Sequence, residues 1–100
     1  MADGSGRIAE RYRPDIRRAV AICREEGCRS GCVFGSVAAG QAGPHSYLDL
    51  AVRGCPPERF HRLLGRFTDE LRHAVDLVDL DTETRMADTL QRDGELVDVG

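Results

Sequence analysis

Apolar positions along this chain recur with two periods. After Pro14, residues Ile16, Ala19, Val20 and Cys23 fall at helical spacing, with Arg17, Arg18, Arg24 and Glu25 on the outer face. Gly27 is placed to stop that helix. Residues 28–34 read as a short strand that runs into Gly35-Ser36, and residues 37–46 (VAAGQAGPHS) have no period and read as a loop. Leu48, Leu50 and Val52 then alternate with Asp49, Ala51 and Arg53, the pattern of a strand with one apolar face. Pro56 and Pro57 suit a helix start, and Phe60, Leu63, Leu64, Phe67 and Leu71 mark the inner face of a second helix over 57–72. Residues 74–80 (AVDLVDL) are apolar on both faces and read as a buried strand. Thr82 is placed to cap a third helix through Arg92, stopped by Gly94, before an extended stub at Leu96, Val97 and Val99.

The predicted order is α-β-loop-β-α-β-α. The strands on either side of the second helix must be parallel, because a helical crossover joins them. The predicted class is α/β, a small mixed sheet backed by helices, with the opposite sheet face left for a site. Residues 1–6 (MADGSG) are small and polar and read as a flexible tail, leaving residues 7–100 as one domain. There is no internal repeat and no low-complexity tract.

Composition narrows the function classes. One hundred residues, 41% hydrophobic and 31% charged, suit a single soluble core. No apolar run has the ~20 residues of a membrane span, and MADGSGRIAERYR lacks a signal-peptide core, so the expected location is cytoplasmic, away from membranes. Net charge is −3, which argues against direct nucleic-acid binding through a basic surface. All 14 basic residues are Arg, which excludes a catalytic lysine. Cys23, Cys28, Cys32 and Cys55 lack both a secretory context and paired C-x2-C spacing. They read as small buried hydrophobes rather than disulfides or metal ligands. His61 and His73 read as surface residues, and Arg59, Arg62 and Arg66 as a solvated helix face.

The segment that carries chemistry is FGSVAAGQAGPHSYLDLAV. A strand ending in Gly35-Ser36 lets backbone N–H groups approach an anion closely, and the Ser36 hydroxyl adds a hydrogen bond to a phosphate oxygen. The returning strand carries Asp49 opposite its apolar face, and a carboxylate there can hold Mg²⁺ together with substrate phosphates. Asp49 and Asp76 are each the second residue of neighbouring parallel strands, so both come to the same end of the sheet. Asp79 has the other parity and is the alternative to Asp76. Two carboxylates beside a phosphate-accepting turn are the minimum for metal-assisted phosphoryl or nucleotidyl transfer.

That run, with the later VDLV, resembles the minimal nucleotidyltransferase family of the DNA polymerase β superfamily, whose signature is Gly-Ser, a short loop, Asp-x-Asp and a third Asp on a following strand. The resemblance spans the chain from about Val20 onward and implies the polymerase-β-like nucleotidyltransferase fold. It makes Gly35 and Ser36 the nucleotide-phosphate contacts, and Asp49 and Asp76 the catalytic, metal-binding carboxylates, with Mg²⁺ and ATP as cofactor and substrate. The first carboxylate of Asp-x-Asp belongs at position 47, where this chain has Tyr47. A phenol is neutral at pH 7 and a poor Mg²⁺ ligand. Neither His45 nor Ser46 replaces it. Small members of the family accompany HEPN-type helical toxins as antitoxins, some by moving AMP from ATP onto the toxin. The resemblance therefore implies an antitoxin whose AMP transfer is impaired by Tyr47, associating with such a toxin or with itself. Two alternatives stay open: an active protein adenylyltransferase relying on Asp49 and Asp76, and a nucleotide-binding module without catalysis.

Overall fold

The computed structural model describes residues 8–43, 45–92 and 96–99. The tail read at 1–6 and the helix stop at Gly94 lie outside the described residues. Helix α1 (Arg13–Glu25) opens with Pro14 and is preceded by a 3-10 turn, Glu10–Tyr12. Strand β1 (Ser30–Phe34) leads directly into a one-turn helix, α2 (Gly35–Ala38), and strand β2 is Leu48–Arg53. A 3-10 turn at Pro57–Arg59 feeds α3 (Phe60–Glu70), followed by β3 (Val75–Asp79), α4 (Thr84–Arg92) and β4 (Val97–Asp98).

The four strands form one mixed sheet in the order β3-β2-β1-β4. Strand β1 runs antiparallel to both β2 and β4, while β2 and β3 are parallel as the crossover through α3 requires. The face carrying Val33, Leu48, Leu50 and Val52 packs against Ile16, Ala19, Ile22 and Cys23 of α1 and Leu63 and Phe67 of α3. Among the described residues no helix is long and apolar enough to cross a membrane.

Several expectations need correction. The loop read at 37–46 begins as a helical turn, because Val37 and Ala38 are apolar enough to enter the main core. The strand at 74–80 is an edge strand: Val78 is buried, Asp76 is exposed, and the remaining positions are half-buried. Its apolar run reflects α4, which packs Ala87 and Leu90 onto Cys32, Phe34, Ala51, Val78 and Leu80 on the second sheet face. The helices therefore do not all back one side; one shares the site's face. Thr82 is not the cap of α4. Its hydroxyl donates to the Asp79 carbonyl (3.3 Å) within the turn that precedes the helix.

The cysteines divide. Cys28 and Cys55 are joined by a disulfide, contrary to expectation, because they flank the antiparallel β1–β2 ladder where Ser30 lies opposite Arg53. Pairing of the strands brings their Cα atoms to 4.0 Å. Cys23 and Cys32 are buried free thiols. Burial pushes the Cys23 pKa up to about 11, and burial with the Asp98 carboxylate raises that of Cys32, so both behave as apolar filler.

Candidate functional site

Phe34, the last residue of β1, is the register partner of Asp49. The chain turns at Gly35 with φ +71°, a conformation that L side chains rarely adopt. Space adds a second reason for glycine. A Cβ at Gly35 would stand 3.1 Å from Asp49 Cγ and nearer still to one of its oxygens. The Asp49 carboxyl is therefore packed directly over the Gly35 backbone. Residues Gly35 to Ala38 then make a single helical turn, closed by Ala39 N–H donating to Gly35 O (3.1 Å) and Gln41 N–H to Ser36 O (2.8 Å). The opening N–H groups of such a turn have no partner within it. Gly35 is exposed and Ser36 half-buried.

Asp49 and Asp76 are register partners across the parallel β2–β3 pair, so they share the sheet face opposite the main core. Asp49 is half-buried and Asp76 exposed. Burial, and then the neighbouring Asp76 charge, raise the Asp49 pKa above the ordinary carboxylate value. Tyr47 lies two residues before Asp49, just outside the start of β2, and is 58% exposed. Asp79 is opposite Val52 in the register and accepts the Asp81 N–H on its own Oδ1 (2.9 Å), within the turn toward α4. Ser46 is occupied in the loop, where its hydroxyl accepts the Gly43 N–H (2.8 Å), and His45 is exposed. The arrangement is thus two like charges side by side, open to solvent on one flank and pressed against a glycine turn on the other. Among the described residues, no group of three or more His, Cys, Asp or Glu side chains is arranged to hold a metal ion.

Two buried carboxylates were not anticipated. Asp15 (4% exposed) accepts the backbone N–H groups of Arg72 (3.0 Å) and His73 (2.9 Å), and His73 Nδ1 lies 2.6 Å from its Oδ2. Burial pushes the Asp15 pKa up, but these hydrogen bonds and the His73 side chain outweigh it and hold the carboxyl below its ordinary value. His73 is consequently not a plain surface residue; its ring also packs at a tilt against Tyr12, 4.4 Å between centroids. Glu26 (3% exposed) faces Arg62 (3.2 Å), Arg66 (3.1 Å) and Arg59 (3.9 Å). The arginine row of α3 is therefore an ion-paired seam with α1, extended by Glu25 and Glu70, rather than a merely solvated face. The sequence did contain a signal: Asp15, Ala19, Ile22 and Glu26 fall in phase on the inner face of α1.

No family model matches the chain, and no curated protein is detectably similar to it. Solved structures are similar. A protein described as a minimal nucleotidyltransferase superposes with a TM-score of 0.72 at 29% identity, over 90% of this chain and 94% of that one. The chain has the minimal nucleotidyltransferase fold. Two toxin–antitoxin structures share the fold. One, crystallised with AMP-PNP, gives a TM-score of 0.69 at 20% identity over 83% of this chain and 70% of that one. The other is an aspartate-to-glutamate double mutant of MntA-HpeT, with a TM-score of 0.62 at 21% identity over 75% of this chain and 65% of that one. In that mutant the two replaced aspartates stand two positions apart. Within this fold, the Gly35 turn and the strands that carry Asp49 and Asp76 lie side by side.

Proposed function

We propose that this chain is the antitoxin of a HEPN/minimal-nucleotidyltransferase toxin–antitoxin pair, with Mg²⁺- and ATP-dependent AMP transfer impaired by Tyr47. The observation that carries the reading is the register pairing of Asp49 and Asp76 beside the Gly35 turn, with a neutral phenol at position 47. The partner class is supported by fold neighbours that are toxin–antitoxin proteins, and the nucleotide by the neighbour crystallised with AMP-PNP. Residues 7–100 act as one domain, in the cytoplasm, docking on a helical toxin or on a second copy.

The residues fit a magnesium nucleotide in part. Asp49 and Asp76 form an acidic pair, with Asp49 destabilised in its charged form, which a divalent cation would relieve. A bound Mg²⁺ would supply charge neutralisation at the phosphates. Gly35 admits the phosphate chain close to the backbone, and Ser36 offers a hydroxyl donor. Tyr47 contributes no negative charge and so leaves the ligand set one carboxylate short. Binding can survive that loss better than transfer, because transfer needs two cations held about 3.5–4 Å apart.

ATP titration with and without Mg²⁺ tests the proposal. Mg²⁺-dependent binding with little AMP transfer supports it. Rapid transfer by the native chain supports an active adenylyltransferase in which Asp49 and Asp76 suffice. Binding without transfer and without any toxin partner supports an inert nucleotide-binding module, and no binding at all leaves a pure interaction protein.

A further inference from the structure

The start of α1 grips two separate segments of the chain, and both lead into the candidate site. On one side, Asp15 captures the residues leaving α3: its carboxylate accepts the Arg72 and His73 N–H groups and faces His73 Nδ1. Those residues lead straight into β3 and Asp76. On the other side, the Tyr12 hydroxyl donates to Gly43 O (3.4 Å) and Arg11 Nη2 to Ala42 O (3.1 Å), in the connection between Ser36 and Asp49. The Arg11 guanidinium also lies 4.9 Å from the Tyr12 ring centroid. The two grips are joined by the contact between the Tyr12 and His73 rings, tilted 39° to one another. Tyr12 is 1% exposed, while the His73 side chain keeps one edge toward solvent. A direct bond between the two segments, Leu48 N–H to Ala74 O (2.8 Å), registers the first residue of β2 against the residue preceding β3.

A polar contact between two side chains adds little net stability compared with apolar packing of the same volume. What Asp15 and His73 provide that apolar side chains would not is direction: hydrogen bonds fix the angle at which the chain enters β3. We infer that Asp15, His73 and Tyr12 are positioning residues, a strut that holds the Gly43 loop and the lead-in to β3 in one fixed relation and so sets how Asp49 and Asp76 meet a ligand. The inference rests on the proposed nucleotide site for its consequence, but not for its mechanics.

Hydrogen exchange on the whole chain tests the mechanics. His73→Ala raises exchange at residues 72–76 and also, some thirty residues away, at residues 41–43 by about fivefold or more. His73→Asn, which keeps a side-chain N–H toward Asp15 but loses the ring, restores protection at 72–76 and leaves 41–43 loose. Tyr12→Phe loosens 41–43 alone. Unchanged exchange at 41–43 in a folded His73→Ala or His73→Asn variant overturns the strut. Affinity for AMP-PNP with Mg²⁺ tests the consequence: it falls about fivefold in Tyr12→Phe and in His73→Asn, with near-native melting temperatures. Loosened loops with native affinity overturn the positioning role. A native chain that binds no AMP-PNP overturns the nucleotide site instead, while the exchange pattern still decides the strut.

Discussion

Asp49 and Asp76 stand opposite one another in the parallel β2–β3 register, and the Asp49 carboxyl is confined on its other side by the Gly35 backbone. Neighbouring strands are about 4.8 Å apart, so the Asp76 charge is close enough to disfavour the ionised form of Asp49. The Asp49 pKa is raised above 3.8 in the folded chain, by burial first and by Asp76 second. The folded state therefore holds that proton more tightly than the unfolded state. Ionised Asp49 costs stability above its folded pKa, and the cost disappears as pH falls below 3.8. Asp49→Asn should raise the melting temperature at pH 7 in chelator by roughly 2–4 °C. The gain should vanish near pH 3.5–4, and added Mg²⁺ should stabilise the native chain but not the variant. Equal melting curves for the two proteins at pH 7 would contradict this.

Asp15 has the opposite sign. Its folded pKa lies below the ordinary 3.8, so it stabilises the fold above that value and the stabilisation is lost as pH falls through 3.8 toward the folded pKa. Asp15→Asn keeps one acceptor oxygen but puts an amide against the Arg72 and His73 N–H groups. It should cost about 2–4 kcal/mol at pH 7 by urea unfolding, and less at pH 3.

Gly35→Ala combines a left-handed backbone with a Cβ driven into the Asp49 carboxyl. The expected cost is about 2 kcal/mol, together with loss of nucleotide affinity, because relief requires Asp49 to move. Ser36→Ala serves as the comparison: Ser36 is half-buried, with its backbone carbonyl already engaged by Gln41. It should melt within a degree or two of the native chain while weakening nucleotide binding. Identical affinities for both variants and the native chain would remove the Gly35-Ser36 turn from the site.

The Cys28–Cys55 disulfide joins positions 27 apart in sequence and encloses β1, α2 and β2. Loop-closure entropy assigns such a cross-link about 3–4 kcal/mol. Reduction should lower the melting temperature by roughly 10–20 °C, with the reduced chain still folded at room temperature. The double variant Cys28→Ser, Cys55→Ser should melt like the reduced chain and not respond to dithiothreitol. A melting temperature indifferent to reductant in the native chain would show that the cross-link does not restrict the unfolded ensemble.

Local patterns carried most of the fold. Leu48, Leu50 and Val52 face the main core, as their alternation predicts, and Leu63 and Phe67 anchor α3 from positions its helical period marks. Parallel pairing of β2 and β3 follows from the crossover alone. What was not legible depends on partners distant in sequence. Asp15 and Glu26 are in phase with the apolar face of α1, but charge ordinarily reads as surface, and only Arg72, His73 and the α3 arginines make their burial tolerable. The disulfide was missed because its cysteines become neighbours only through the β1–β2 register, and compartment argued the other way. Strand β3 looked buried because α4 covers Val78 and Leu80 from the site's own side. Within the candidate site, strand position alone groups Asp49 with Asp76, whereas contact between Asp49 and Gly35 needed the structure.

Under the proposed function, Tyr47 is what separates this chain from a competent transferase. AMP incorporation from α-labelled ATP, with Mg²⁺ and an acceptor protein, measures it directly in the native chain, in Tyr47→Asp, and in Tyr47→Asp combined with Asp49→Ala. Tyr47 is exposed, so its replacement disturbs no packing in the core. Under the proposed function, the new carboxylate, two residues before Asp49, would complete a ligand set for two cations. Tyr47→Asp should transfer AMP at least about tenfold faster than the native chain, a gain of roughly 1.4 kcal/mol in transition-state stabilisation, and Asp49→Ala should abolish it. Native protein transferring AMP as fast as Tyr47→Asp would contradict the account and leave an active adenylyltransferase in its place.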